Sequence, residues 1–313
     1  MSFENIIGND KIKEELVDTI KSGNVSHSYM FVGQEGIGKY EFAVEFAKMI
    51  LCLSENKLNC NSCDSCIKFL SSNHPDFIKL EPDGNSIKIA QMRQMQENIY
   101  QKPIISSKKV FIINNAEKMT QEAQNSLLKT LEEPPYYVVI ILIVSNENLV
   151  LNTIKSRCLK LHFQNLNKRE ILEYIKENNF IDYFTDNMVN LCNGSIGKVE
   201  KIRDNIELYS SVEKLINGII TPKFDSIIDI INNAEILYKS KENIYDILEY
   251  MVVLVYSFIN NNTESVLVNK YINIINIIEN IKNKFRSNCN YDMCVDELLL
   301  KIWEEINEKY SRS

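Results

Sequence analysis

Three groups of residues in this 313-residue chain have types and spacings that do chemistry. The first is GQEGIGKY, Gly33 to Tyr40. Its first seven residues fit G-x-x-x-x-G-K. In such a loop, backbone N–H groups surround nucleotide phosphates and the lysine reaches the terminal ones. Gly33, Gly36, Gly38 and Lys39 are the candidate phosphate-binding residues. The eighth position calls for Ser or Thr, whose hydroxyl binds Mg²⁺. Tyr40 stands there, and a phenol is too long to put its oxygen in that place. The bland alternative is a glycine-rich turn between a strand and a helix, with no ligand.

The second group is CLSENKLNCNSCDSC, which spaces Cys52, Cys60, Cys63 and Cys66 as C-x7-C-x2-C-x2-C. Four thiolates in one short segment match the tetrahedral sulfur set of Zn²⁺. An iron–sulfur cluster is the competing metal, and four free thiols the metal-free alternative; the two x2 gaps favour zinc. No further polar group stands out for catalysis, so the expected Zn²⁺ is structural and staples an insertion too small for its own core. Flanking charges are mixed (Glu55, Lys57, Asp64, Lys68), which speaks against DNA contact here. Cys158, Cys192, Cys289 and Cys294 show no ligand pattern and are expected as buried thiols.

The third is Arg157, within Ser156-Arg157-Cys158 at a turn before the alternating run CLKLHF (158–163). An arginine there faces away from the chain's own phosphate loop. It is either a solvated surface side chain or a guanidinium that reaches a neighbour's nucleotide.

Other parts of a nucleotide hydrolase are missing. In VFIINNAEKM (110–119), Asn114 and Asn115 occupy the strand end that usually carries Asp for the metal and Glu for the attacking water. An amide is a poor Mg²⁺ ligand beside a carboxylate and no general base. Glu117 starts the next helix and is expected to point elsewhere. No Mg²⁺ site and no self-contained hydrolysis are expected; ATP or ADP is bound weakly or not at all.

The elements that must position these groups follow from the hydrophobic pattern. SYMFV (28–32) leads into the glycine loop, and EFAVEFAKMIL (41–51) after it has helical spacing: strand, phosphate loop, helix. DFIKL (76–80), KVFIINN (109–115), VVIILIVS (138–145) and CLKLHF supply four more strand candidates. VVIILIVS is short, β-branched and continuously apolar, so it should be buried on both faces. Helices are expected at 86–100 with Ser86 as N-cap, at 120–133 between Thr120 and Pro134-Pro135, and at 148–157. The alternation predicts an α/β P-loop domain with a five-stranded, mostly parallel sheet. From Asn167 strands vanish: a small helical unit with Gly194 as C-cap is followed by amphipathic stretches at 223–239, 242–260, 264–284 and 292–309. The expected domains are 1–165 with a zinc module at about 50–70, a helical lid at 166–206, and an all-α C-terminal domain at 207–313.

Bulk properties narrow the class. Apolar content of 45% and charged content of 25% are those of an ordinary soluble globular protein. A net charge of −7 argues against a chain that wraps nucleic acid by itself. The longest apolar runs, 136–144 and 250–259, are about half the ~20 residues of a membrane span. With no signal-peptide pattern at the start, a cytoplasmic protein is expected.

SHSYMFVGQEGIGK, the cysteine insertion, NSLLKTLEEPP (125–135) and SRC (156–158), in that order, resemble the bacterial clamp-loader subunits. These are AAA+ proteins of the DNA polymerase III holoenzyme. The resemblance covers residues 1 to about 205 by motif, and the remainder only by helical character. The gamma/tau motor of that family has an intact G-K-[ST], an Asp-Glu pair and a lid arginine. This chain departs at each point, with Gly197 at the arginine's place, so it is similar to the degenerate delta-prime type. That resemblance implies a non-hydrolysing stator in a five-subunit ring, joined to gamma/tau and delta through C-terminal helical domains in a collar. Sliding clamp and primed DNA are reached through the complex. It also implies that Arg157, with Ser156 and Cys158, is an arginine finger given in trans, and that Ser145-Asn146 ends the sensor-1 strand. Two other classes stay open: an active AAA+ ATPase with unusual ligands, told apart by Mg²⁺-dependent turnover of the isolated chain, and a zinc-dependent DNA-binding module, told apart by salt-sensitive binding of primed DNA.

Overall fold

Five runs form one sheet, four of them rich in β-branched or aromatic residues and the fifth alternating Leu with polar residues. They are β1 (Ser28–Val32), β2 (Phe77–Leu80), β3 (Lys109–Ile113), β4 (Val138–Val144) and β5 (Leu159–His162). The order is β2-β3-β4-β1-β5, and every neighbouring pair is parallel. The structure is a computed structural model and describes residues 3–4, 6–58, 60–221, 223–224, 226–262, 264–287 and 289–307.

Successive strand residues point to opposite faces, so a strand covered on both sides has no polar position. All seven residues of β4 are buried, as its unbroken apolar run predicts. Tyr29, Phe31, Val139, Ile141 and Ile143 face α1 (Asp10–Ser22) and α2 (Lys39–Leu51), whose Leu16, Phe42 and Phe46 fill the layer. A short helix, α3 (Asp64–Leu70), belongs to the cysteine insertion. Met30, Phe111, Ile113, Ile140 and Leu142 face the other way, toward α4 (Ile89–Ile99) and α5 (Gln121–Glu132). Each such side chain contributes about 1.5–3 kcal/mol by leaving water, which fixes the register.

Several local expectations are corrected. Ser86 is not the N-cap of α4: Lys88 is, and Ser86 pairs with Asp83 across the Gly84 turn. Ile87 is held extended by bonds to Lys118 and Thr120, so the helix cannot start earlier. The helix expected at 148–157 is a 3₁₀ turn, Glu147–Leu149, followed by the four-residue α6 (Asn152–Lys155). Asn193 rather than Gly194 ends its helix.

The chain divides into two compact units: Met1–Glu170 with Gly194–Gly197, and Ile171–Asn193 with Lys198–Ser313. The second is helical: α7 (Lys168–Glu177) from Ile171 onward, α8 (Asp186–Cys192), α9 (Ile196–Asp204) from Lys198, α10 (Ile206–Ile220), α11 (Ile227–Asn233), α12 (Glu235–Lys239), α13 (Ile244–Asn260), α14 (Ser265–Arg286) and α15 (Tyr291–Asn307). The amphipathic stretch at 223–239 holds two short helices, α11 and α12. The last two residues of the stretch expected at 292–309, like residues 1, 2 and 308–313 of the expected domains, lie outside the described residues. Cys192 and Cys294 are buried, Cys158 is half-buried, and Cys289 is exposed because it lies in the segment between α14 and α15. Among the described residues, no helix is long and apolar enough to cross a membrane.

Candidate functional site

The glycine loop leaves the carboxyl end of β1, where Gly33 N–H bonds Val144 O and Phe163 N–H bonds Val32 O. A side chain at Gly33 would meet Phe163 O at 2.8 Å. Gly38 takes φ 93° as N-cap of α2, a conformation that glycine alone adopts without strain. The sequence thus folds the phosphate loop as expected, but its lysine is engaged within the chain. Lys39 is buried, and its Nζ donates to Gly33 O at 2.6 Å, Gln34 O at 2.6 Å and Ser145 Oγ at 3.3 Å. An ammonium has three N–H groups, and all three have acceptors here. Burial pulls Lys39 down to about 8, against the opposing pull of Glu117, Glu35 and Glu41.

Residues Gly194–Gly197 close over the loop. Gly197 N–H donates to Gly36 O at 2.9 Å and Ser195 Oγ to Glu35 O at 3.1 Å. A side chain at 197 would lie 2.9 Å from Gly36 Cα, so this approach needs glycine.

On the metal side, Tyr40 offers its ring to Lys79, whose Nζ lies 4.7 Å from the centroid. Lys79 pairs with Glu81 at 2.8 Å, and Glu81 accepts from Asn114 Nδ2 at 3.3 Å. Burial pulls Lys79 down, but Glu81 and Tyr40 outweigh it and hold it above the ordinary lysine value. Asn115 adopts φ 49° at the start of a 3₁₀ turn, and the Asn146 side chain caps the turn at Glu147. Glu117 departs from expectation. Its Oε2 is buried without a hydrogen-bond partner, and it is the carboxylate acting most strongly on Lys39.

The cysteine cluster comes together. The four Sγ atoms of Cys52, Cys60, Cys63 and Cys66 lie within 4.8 Å of one another. Cys52 and Cys63 are 3.9 Å apart, near the roughly 3.8 Å edge of a tetrahedron with Zn–S bonds of about 2.3 Å. Cys63 N–H donates to Cys60 Sγ and Cys66 N–H to Cys63 Sγ, each at 3.4 Å, which stabilises thiolates. The backbone N–H groups of Ser62 and Cys63 bring Cys60 down to about 6, whereas burial pushes Cys66 up. The donor set fits a metal of zinc type.

A buried polar network that sequence reasoning missed ties this insertion to the sheet. Ser65 Oγ and Ser106 Oγ donate to Leu51 O at 2.7 and 2.6 Å. His74 Nδ1 accepts from Asp76 N–H, so its Nε2–H donates to Ser65 Oγ at 2.9 Å. Asp76 accepts the N–H groups of Ile104, Ile105 and Ser106. Burial lowers His74, which favours its neutral form. The only sequence signal was a His-Pro-Asp run beside a strand.

Arg157 lies at the other end of the sheet. Its N–H bonds Ile154 O, and its O accepts from Ser28 Oγ at 2.6 Å, at the start of β1. The strand separates it from the phosphate loop by roughly 13 Å at 3.3 Å per residue. Its guanidinium bonds Glu132 Oε1 and Thr153 O, both at 2.8 Å, and Ser156 Oγ at 3.3 Å. Burial pushes the neighbouring Cys158 thiol up to about 11.

A parallel sheet with a G-x-x-x-x-G-K loop at its carboxyl end defines a P-loop α/β protein, here joined to an all-helical unit. The family described as DNA polymerase III, delta subunit, matches residues 8–167, and the chain belongs to it. It is 37% identical over 206 residues to DNA polymerase III subunit delta' of Bacillus subtilis, covering 66% of this chain and 62% of that protein. It is 30% identical over 213 residues to DNA polymerase III subunit gamma/tau of Mycoplasma pneumoniae, covering 67% of this chain and 31% of that one. The matches therefore span about three fifths and one third of those relatives. A gamma subunit-related protein of Thermotoga maritima shares 18% identity, with 93% of this chain and 99% of that one covered and a TM-score of 0.48.

Proposed function

We propose that this chain is a delta-prime-type clamp-loader subunit that hydrolyses no ATP itself and lends Arg157 to nucleotide held by a neighbouring gamma/tau-type subunit. The observation that carries this is the disposition of the two cations. Lys39 has every N–H bonded within its own chain, while Arg157 lies a strand away with two of its five N–H groups without an acceptor among the described residues. A guanidinium at the edge of the domain suits phosphate oxygens on another chain. Gly33, Gly36, Gly38 and Lys39 then keep the loop's shape, with ATP or ADP bound weakly or not at all. Glu117 lends the ATPase alternative one observation, a buried carboxylate oxygen without a hydrogen-bond partner among the described residues, but it belongs to no group of potential metal ligands among them.

In this reading Cys52, Cys60, Cys63 and Cys66 hold one structural Zn²⁺, and residues 1–165, 166–206 and 207–313 act as core, lid and collar. Exposed Tyr256, Val266, Ile272 and Met293 on α13–α15 support a collar that packs against delta-type and gamma/tau-type subunits. The complex works in the cytoplasm, and sliding clamp and primed DNA are met through it. Metal analysis should find one zinc per chain, lost in Cys63→Ser together with protease resistance of the insertion; a metal-free wild type removes the zinc assignment. The role itself is tested by adding this chain to a gamma/tau-type ATPase with its delta subunit, clamp and primed DNA. Wild type should stimulate turnover and Arg157→Ala should lose most of that gain, since such an arginine is worth about 10³–10⁵ at one site. Equal stimulation by both would refute the trans role.

A further inference from the structure

We infer that Glu132 is a positioning residue for Arg157, holding the guanidinium so that two N–H groups face a neighbour's phosphate. The inference rests on the trans role proposed above. Glu132 is the last residue of α5, which Thr120 caps at its start and Pro134-Pro135 follow. A helix C-terminus disfavours a carboxylate, because the macrodipole is negative there. Helix stability therefore does not call for this residue type. Its partner does: Arg157 Nη2 donates to Glu132 Oε1 at 2.8 Å.

The remaining contacts divide the guanidinium into a held part and an offered part. Nη1 donates to Thr153 O and Ser156 Oγ, which uses both of its protons. Glu132 uses one proton of Nη2. Among the described residues, the Nε–H and the other Nη2–H have no acceptor. The backbone of Arg157 is fixed by Ile154 O and Ser28 Oγ, so the rotamer is what is left to settle. Arginine has a long side chain with several soft torsions. The Nη1 bonds hold one end of the guanidinium, and Glu132 holds the other at Nη2. Both partners remain partly exposed, so the pair adds little to folding stability, and its effect should appear in the geometry of the arginine.

The test is a double-mutant cycle on ATP turnover of the assembly with gamma/tau-type and delta-type subunits, clamp and primed DNA. Glu132→Ala should lower kcat about two- to five-fold, the factor of one exposed ion pair, with KM for ATP unchanged. Glu132→Gln, which keeps an acceptor oxygen, should retain more than half of the activity. Glu132→Ala should have no further effect in an Arg157→Ala background, since it acts only through that arginine. Sizing of the assembly checks that each variant is incorporated. An unchanged or raised kcat in Glu132→Ala, or an equal loss in the Arg157→Ala background, overturns the inference and leaves the trans role standing. If Arg157→Ala itself changes nothing, the trans role fails first and the inference with it.

Discussion

The two ends of β1 each hold one cation, and their bonding differs. At the carboxyl end, Lys39 gives its three N–H groups to Gly33 O, Gln34 O and Ser145 Oγ, and Gly197 packs on Gly36. At the amino end, Arg157 has its backbone fixed but two N–H groups without an acceptor among the described residues. The lysine of the phosphate loop is thus fully bonded within its own chain, whereas the arginine at the far end of the strand is bonded over only part of its guanidinium.

Gly197→Ala presses hardest on the closed end. Its Cβ would lie 2.9 Å from Gly36 Cα, so the loop must shift, at a cost of about 1–3 kcal/mol. Thermal denaturation should show a lower Tm and hydrogen exchange a faster loop, with stimulation of the neighbour's ATPase kept. Loss of that stimulation would mean that the two ends are coupled. A smaller effect concerns pH. Lys39 sits at about 8, below its ordinary value, so between these values the unfolded chain binds a proton that the folded one lacks. Its contribution is therefore least favourable below pH 8 and improves as pH rises through that range. The Cys158 thiol, pushed up to about 11, acts in the opposite sense, so the quantity to follow is wild type minus Lys39→Met. A difference that does not change with pH would mean that Lys39 is not desolvated.

Much of the frame was legible in the sequence. The apolar run of β4, the glycines of the loop and the two x2 cysteine gaps are local patterns, and local patterns survive without coordinates. What escaped depends on partners distant in sequence. Ser65 and Ser106 meet at Leu51 O, and Glu132 meets Arg157, through packing that no spacing rule encodes. Glu117 was expected to turn away; its carboxylate instead acts on Lys39 across the loop. Ser86 failed as a cap because Ile87 was already committed to bridging Met119.

The most direct test sets the two cations against each other. Lys39→Ala and Arg157→Ala are incorporated separately into the complete assembly, and ATP turnover is measured with clamp and primed DNA present. The account predicts near-normal turnover with Lys39→Ala, once folding is verified, and a several-fold fall with Arg157→Ala. A fall with Lys39→Ala and none with Arg157→Ala would contradict it, and would return the phosphate loop to the role its sequence first suggests.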